Sequence, residues 1–542
     1  MVETPLTRTL RVVLLTLAAF LTGRLAYFAF APHSRTYCMV LSIALFELII
    51  FFHLRSCNSF AASKRLIYGS SLLYGVMWGL GLYLPLYSWI AEFVKTVPWI
   101  TLSLLMSLFT GLIGVTIALI GRAQWSVSRA AFVPAIPILW TGVEALRMRF
   151  PFGGFSWGSP AYSQTGGVIG SASLWGSTSA VTFLTVLCAT ILATTVMVTV
   201  DLTRRSSGAT KTSLQSLIAG VLVALVSISG SFIYEKHVDD AASPVGTITA
   251  AYIQGDVVAE GIGFNAIRMQ VLRNHVNATK ELAAAVSQGL LRQPDVVVWP
   301  ENSADIDPLS DPTASALITE AAKAINAPIL VGAVVGRQSH NDELNTVLLW
   351  DASGYEHQRH VKHHIQPFGE YLPLRPLIEK ISPYAAWAGN FQAGDGPGVI
   401  DVHKTRVGIA TCYEVIFNDS LQKAVSNGAQ WLTVPANNAT FGYTNQTYQQ
   451  LEMARFRARE LHRWVVAAAT SGVSSFITPT GQALDITDLY TRAFAVRRIS
   501  LYNYQTLSPI LSKYFDMAFA TATILIFAAS VARVLSRRRR RL

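Results

Sequence analysis

Charge is what this chain has least of. Only 14% of its 542 residues are Asp, Glu, Lys or Arg, where ordinary soluble domains carry about a quarter. Together with an apolar share of 51%, that scarcity excludes a wholly soluble globular protein and fits a chain that crosses a membrane. Cysteine is scarcer still. Cys38, Cys57, Cys188 and Cys412 are too scattered for a disulfide framework, and the first three fall in or beside apolar runs. Acids are the minority among the charges, 32 Asp and Glu against 43 Lys and Arg, for a formal net charge of +11. The excess does not point to nucleic acid, because Arg537–Arg541 alone hold five of the positives at the extreme terminus. That run reads as a topology anchor.

The apolar residues are not spread evenly. Residues up to about 235 are mostly apolar runs, about 245–500 have ordinary soluble composition, and one more apolar run precedes the basic tail. Runs long enough for roughly 30 Å of hydrocarbon predict about eight spanning helices, near 10–31, 37–54, 66–87, 99–120, 130–148, 171–200, 214–234 and 515–535. The expected organisation is a membrane domain over 1–240, a catalytic domain over 241–510, and a last span with its basic tail over 511–542. The first run is followed by no small-residue cleavage site and at once by further spans, which argues against a cleaved signal peptide.

Lys and Arg collect in cytoplasmic loops. With the N-terminus inside, the inner segments hold Arg8, Arg11, Arg55, Lys64, Arg65, Arg122, Arg129, Arg204, Arg205, Lys211 and the final arginines, against Arg35, Lys95, Arg147 and Arg149 outside. The expectation is a multi-pass protein of a bacterial inner membrane, both termini cytoplasmic and residues 235–514 on the outer face. One outer loop, Phe152 to Gln164, is rich in aromatics and glycine. It reads equally as an interfacial aromatic belt or as a loop lining lipid access.

From Gly246 short β-branched runs alternate with helical stretches. Strands are expected at 247–254, 295–299, 328–335, 345–351, 355–361, 399–402, 407–411, 431–435, 464–471 and 475–478, and helices near 265–288, 315–325, 417–426 and 445–462. Continuous apolar strands between helices predict a layered α/β sandwich. The run from Leu374 to Pro397, with Tyr384, Trp387 and Phe391 among glycines, reads as a long loop, either a membrane-facing lid or an ordered excursion.

Three residue types with complementary chemistry stand at or near strand ends: Glu301 after Trp299-Pro300, Lys362 before His363-His364, and Cys412 after an apolar run and before Tyr413-Glu414. A thiol attacks only as thiolate, and an ordinary pKa near 8.5 leaves little of it at neutral pH. A carboxylate can take its proton, and an ammonium can face the thiolate and the oxyanion that follows. On that logic Glu301 is the base, Lys362 the electrostatic partner and Cys412 the nucleophile, with the Tyr413 backbone N–H as a second oxyanion donor. Glu370 and Glu414 lie close enough in sequence to orient Lys362 or assist proton transfer. Singly, each has a bland reading: a surface carboxylate, a solvated lysine, a buried structural thiol. His363 and His364 have no companion ligands at metal spacing, so neither a metal nor another cofactor is expected.

Trp299-Pro300-Glu301, then Lys362 with Pro367-Phe368-Gly369-Glu370-Tyr371-Leu372-Pro373, then Cys412-Tyr413-Glu414, resemble the nitrilase superfamily and, more narrowly, its membrane-embedded apolipoprotein N-acyltransferases. The Phe155-Ser156-Trp157 loop, the Asn437–Gly442 segment, the Arg455–Glu460 helix and the eight-span layout extend the likeness to nearly the whole chain. The resemblance implies an α-β-β-α sandwich beside a polytopic helical domain. It also implies a two-step reaction in which a membrane phospholipid donates an acyl chain to Cys412. The α-amine of a lipoprotein's N-terminal diacylglyceryl-cysteine then accepts it, with Glu370 and Glu414 in support. One departure is visible: Gln254-Gly255 is followed by Phe264 where the family often has a tryptophan. A membrane-tethered nitrilase or amidase acting on a small C–N substrate is the rival reading, although a tether needs one span rather than eight. A binding or transport protein would predict an incomplete triad.

Overall fold

The computed structural model describes residues 5–57, 64–124, 132–203, 210–257, 269–336, 342–380 and 388–539. The chain forms two compact units, one from residues 1–91, 95–235 and 510–542, the other from 92–94 and 236–509.

The first unit is helical: α1 (Pro5–Tyr27), α2 (Tyr37–Ser56), α3 (Lys64–Leu86), the short α4 (Trp89–Val94) at its border, α5 (Thr96–Gln124), α6 (Phe132–Arg147), α7 (Ser173–Thr203), most of α8 (Thr210–Ala241), and most of the C-terminal helix Ser508–Arg539. Among the described residues seven helices are long and apolar enough to cross a membrane. The stretch expected to span at 130–148 is helical over the 16 residues of α6, with Pro137 inside it. Those 16 residues rise about 24 Å at 1.5 Å per residue, and residues 125–131 just before them lie outside the described ones. Helices pack closely through small residues, as membrane helices do. A Cβ on Gly75 of α3 would stand 2.2 Å from the Thr110 carbonyl oxygen of α5.

At the end of α6 an ion pair is buried, Arg147 Nη2 to Glu144 Oε2 at 2.7 Å. The Arg147 guanidinium also donates to the carbonyls of Phe155 (2.6 Å) and Trp157 (3.0 Å), and the Tyr87 hydroxyl donates to the latter at 2.7 Å. These bonds draw the aromatic loop into the unit. Trp157 and Tyr162 are buried, so the aromatic-belt reading fails for both; belt residues would face the lipid headgroups.

The second unit runs β1 (Gly246–Gln254), α9 (Gln270–Ser287), β2 (Val296–Val298), α10 (Pro312–Ile325), β3 (Ile329–Gly336), β4 (Glu343–Asp351), β5 (Gly354–Val361), α11 (Arg375–Ile378), β6 (Val399–Val402), β7 (Thr405–Ile409), α12 (Asn418–Ser426), β8 (Trp431–Ala436), α13 (Gln446–Leu461), β9 (Val465–Ala469), β10 (Ser475–Ile477), β11 (Ala483–Leu484) and β12 (Ala493–Leu501). Two six-stranded sheets result, in the orders β12-β1-β2-β3-β4-β5 and β11-β10-β9-β8-β7-β6. The layering follows from the two-residue period of a strand. Ala251 and Ile253 of β1 and Val297 of β2 face α9 and α10. Ile248, Ala250, Tyr252, Val296 and Val298 face the opposite sheet, against Ile409, Trp431, Val466 and Phe476. Helix α12 packs on β7 and α13 on β9, which completes an α-β-β-α sandwich. The start of α10 is marked by Asp311, whose side chain accepts from the N–H groups of Thr313 and Ala314, and by Pro312 in the first turn.

Two strands were not foreseen, the two-residue β11 and the long β12. β12 pairs with β1 along its length, from Gly246↔Leu501 to Gln254↔Ala493. Its alanines and the Arg497-Arg498 pair weaken the strand signal, as suits a half-exposed edge. Helix α9 begins at Gln270, while Phe264, Tyr384 and Trp387 lie outside the described residues. Phe391 forms an isolated bridge with Glu343.

Gly332 of β3 serves the site directly. A Cβ there would sit 2.0 Å from the Pro300 carbonyl oxygen and 2.7 Å from the Glu301 Cα, so backbone must move to admit one. Gly332→Ala is expected to displace Glu301, lower stability by about 1–3 kcal/mol and cut activity at least tenfold. Thermal unfolding and a turnover assay check it.

Candidate active site

Three strand ends supply the site. Glu301 lies three residues beyond β2 and Lys362 directly after β5, both from the first sheet; Cys412 follows β7 of the second. All three are buried. The Lys362 Nζ lies 3.0 Å from Glu301 Oε1 and 3.0 Å from Glu370 Oε1. Burial alone would favour the neutral amine, but the two carboxylates outweigh it and hold the ammonium's pKa well above its ordinary value. Burial raises the pKa of Glu370, with Lys362 opposing and Glu301 adding to it.

Residues to which sequence reasoning gave no role complete the cluster. Asn345 Nδ2 donates to Glu301 Oε1 and to Glu370 Oε1, both at 2.7 Å. The Asn437 N–H donates to Glu301 Oε2 at 3.0 Å, and the Gln366 N–H to Glu370 Oε2 at 2.6 Å. The available signal was a lone asparagine within apolar strand residues, since burying an amide requires partners.

Cys412 opens a 3-10 turn, Cys412–Ile416, with φ of +51°. A non-glycine residue held there is strained by about 1–3 kcal/mol, a condition found where the surrounding structure over-determines the backbone. Burial, reinforced by the Glu301 charge, pushes the Cys412 thiol pKa up to about 12 against the pull of Lys362. The resting group is therefore a neutral thiol beside a carboxylate. Tyr413 is buried with its ring edge-on to Phe417 at 5.2 Å.

Glu414 ties the cysteine turn to the lysine strand. Its Oε1 accepts from the N–H of His363 (2.7 Å) and His364 (3.1 Å), and its Oε2 from the N–H of Thr411 (2.7 Å), with His360 Nε2 at 3.3 Å. Burial opposes its charge, but His360 and these N–H groups overcome it and hold the pKa down to about 2. A depressed carboxylate pKa adds stability above the unfolded value near 4.3 that is lost as pH falls toward 2. Glu414→Gln is expected to cost on the order of 3 kcal/mol at pH 7, with the gap from the parent protein closing between about pH 5 and 2. Unfolding measured across that range checks both. His364 stacks on Phe417 at 4.0 Å and reaches Asp419 Oδ1 at 3.1 Å. No group of three His, Cys, Asp or Glu side chains able to hold a metal occurs among the described residues.

The gathered groups combine a nucleophile, a proton acceptor and a fixed cation, the parts needed for acyl transfer through sulfur. Residues 22–191 match the family model described as apolipoprotein N-acyltransferase N-terminal domain, and residues 249–506 match the carbon-nitrogen hydrolase model. The chain is 37% identical to an apolipoprotein N-acyltransferase of Mycolicibacterium smegmatis, over 79% of this chain and 72% of that one. With the enzyme of the same name from Geobacter metallireducens it shares 27% identity, over 77% and 79% of the two chains. Among solved structures, an amidase from Nesterenkonia sp. is 17% identical, covering 49% of this chain and 94% of its own with a TM-score of 0.35. The apolar helices of the present chain and these bacterial relatives make it a multi-pass bacterial membrane protein. On the extent of these matches across both units, the chain belongs to the apolipoprotein N-acyltransferase family.

Proposed function

We propose that this enzyme moves an acyl chain from a membrane phospholipid to the α-amine of the diacylglyceryl-cysteine that begins a lipoprotein, through a thioester on Cys412. The observation that carries the reading is the convergence of Cys412, Glu301 and Lys362 in one buried cluster. As the Cys412 sulfur attacks the ester carbonyl carbon, its proton passes to the Glu301 carboxylate and the carbonyl pair moves onto oxygen. The Lys362 ammonium faces that oxyanion, with the Tyr413 backbone N–H as the second donor. Collapse re-forms the carbonyl, breaks the ester C–O bond and returns the proton from Glu301 to the departing lysophospholipid. The neutral amine of the lipoprotein then attacks the thioester, Glu301 takes its proton, and the sulfur leaves and is reprotonated. The sequence is a ping-pong transfer. Glu370 and Glu414 act through position, one holding Lys362 and the other the two backbone segments. No cofactor takes part.

We place the catalytic unit on the extracytoplasmic side and both termini in the cytoplasm, because Lys and Arg collect in the loops which that arrangement puts inside. The hydrolytic alternative accounts poorly for the seven helices that, among the described residues, are long and apolar enough to cross a membrane.

Incubation of the full chain with acyl-labelled phospholipid tests the proposal. The expected result is a hydroxylamine-sensitive label on the protein, equimolar lysophospholipid, and label that stays until an amine acceptor is added. Label surviving in Cys412→Ala, or label without lysophospholipid, rejects the mechanism; prompt release of free fatty acid to water favours the amidase-like reading.

A further inference from the structure

Helix α13 carries an amide that the mechanism above leaves unused. Arg457 on this helix donates to the Val415 and Ile416 carbonyls of the turn that Cys412 opens, at 3.0 and 3.1 Å. Gln450 lies seven residues earlier, two turns back on the same face. It is buried, and its carbonyl end is doubly engaged. Oε1 accepts from Asn438 Nδ2 at 2.7 Å and from Gln446 Nε2 at 3.2 Å, while Asn438 Nδ2 also donates to Gln446 Oε1 at 2.7 Å. This three-amide relay fixes which way the Gln450 amide points. The opposite end, Nε2, meets no partner at hydrogen-bond geometry. The Gln450 side chain bears on the Cys412 thiol nonetheless: against burial and the Glu301 charge, which keep that thiol neutral, it favours the ionised form. Burying an amide donor without a full partner is destabilising. The arrangement becomes favourable when charge develops beside it, because a donor already oriented in a dry site needs no reorganisation.

We propose that Gln450 is a further catalytic residue: its Nε2–H donates to the Cys412 sulfur when negative charge gathers there, first during attack on the ester and again when the sulfur leaves the amine adduct. Asn438 and Gln446 are positioning residues that hold the amide in that pose. The inference rests on Cys412 being the nucleophile.

The test compares wild type, Gln450→Met and Gln450→His in the full chain. Met keeps the bulk without a donor, whereas the Nε2–H of His reaches nearly as far as that of Gln. Two rates are read: single-turnover acylation by labelled phospholipid, and alkylation of Cys412 by iodoacetamide at pH 8 and 9, which follows the thiolate fraction. In Gln450→Met, acylation is expected to fall 10- to 100-fold and alkylation about tenfold, with KM for phospholipid within twofold of wild type. Gln450→His is expected to recover most of both. Alkylation that speeds up while acylation falls would mean a loosened site and a packing role only. Acylation unchanged in Gln450→Met would also overturn the proposal, provided that label still disappears in Cys412→Ala. If label survives in Cys412→Ala, the nucleophile assignment fails instead.

Discussion

Glu301→Gln is expected to slow acyl-enzyme formation by about 10³-fold or more in a protein that still folds. With its pKa pushed up to about 12, the Cys412 thiol at pH 7.5 is ionised in fewer than about one molecule in ten thousand. Proton removal during attack is therefore obligatory, and general bases contribute about 10²- to 10⁴-fold. Glutamine fills the same space and still accepts from Lys362 and Asn345, but it cannot take the proton. Its amide also cannot offer oxygen both to those donors and to the Asn437 N–H that now meets Glu301 Oε2 at 3.0 Å. That mismatch costs about 1–3 kcal/mol, a modest shift in the unfolding temperature. Normal acyl-enzyme formation in this variant would remove Glu301 as the base.

Lys362→Met is expected to damage both chemistry and stability. Without the ammonium, Glu301 and Glu370 share only the Asn345 amide between two buried carboxylates, and one of them must bind a proton. Breaking a buried ion pair from one side costs about 3–5 kcal/mol. The loss carries a pH signature opposite to that of Glu414. A carboxylate whose folded pKa is raised destabilises the fold above its unfolded value, so the gap between variant and wild type widens as pH rises from about 4 to 8. Acylation is expected to fall about 10³-fold or more, because the thiolate and the oxyanion that follows it lose their cation. Unfolding at pH 5 and 8, with acyl labelling, reads both effects. Acylation within tenfold of wild type would remove Lys362 as the electrostatic partner.

How much of this was legible in the sequence depends on the range of the signal. The valine run at 296–298 and the apolar run ending at Ile409 declared themselves as strands because continuous burial writes continuous hydrophobicity. The acid, the lysine and the thiol beyond strands declared themselves as chemistry. β12 did not, because an edge strand half in water needs no strong pattern, and its partner β1 lies some 250 residues away. Asn345 and Gln450 were missed for a related reason, and Asn437 entered only within a segment that carries the resemblance, with no role attached. Their importance comes from which groups they meet across the sandwich, and no local spacing encodes that. The loop from Phe152 to Gln164 was ambiguous until the carbonyls bound by Arg147 set its direction.

The site straddles the midline of the sandwich, with Glu301 and Lys362 rooted in one sheet and Cys412 and Asn437 in the other. Chemistry here is thus a gauge of how firmly two β layers are clamped. Slippage of an ångström along that seam would leave every strand intact yet part the proton donor from its acceptor. Under gentle denaturant or pressure the enzyme should fall silent well before its circular dichroism changes.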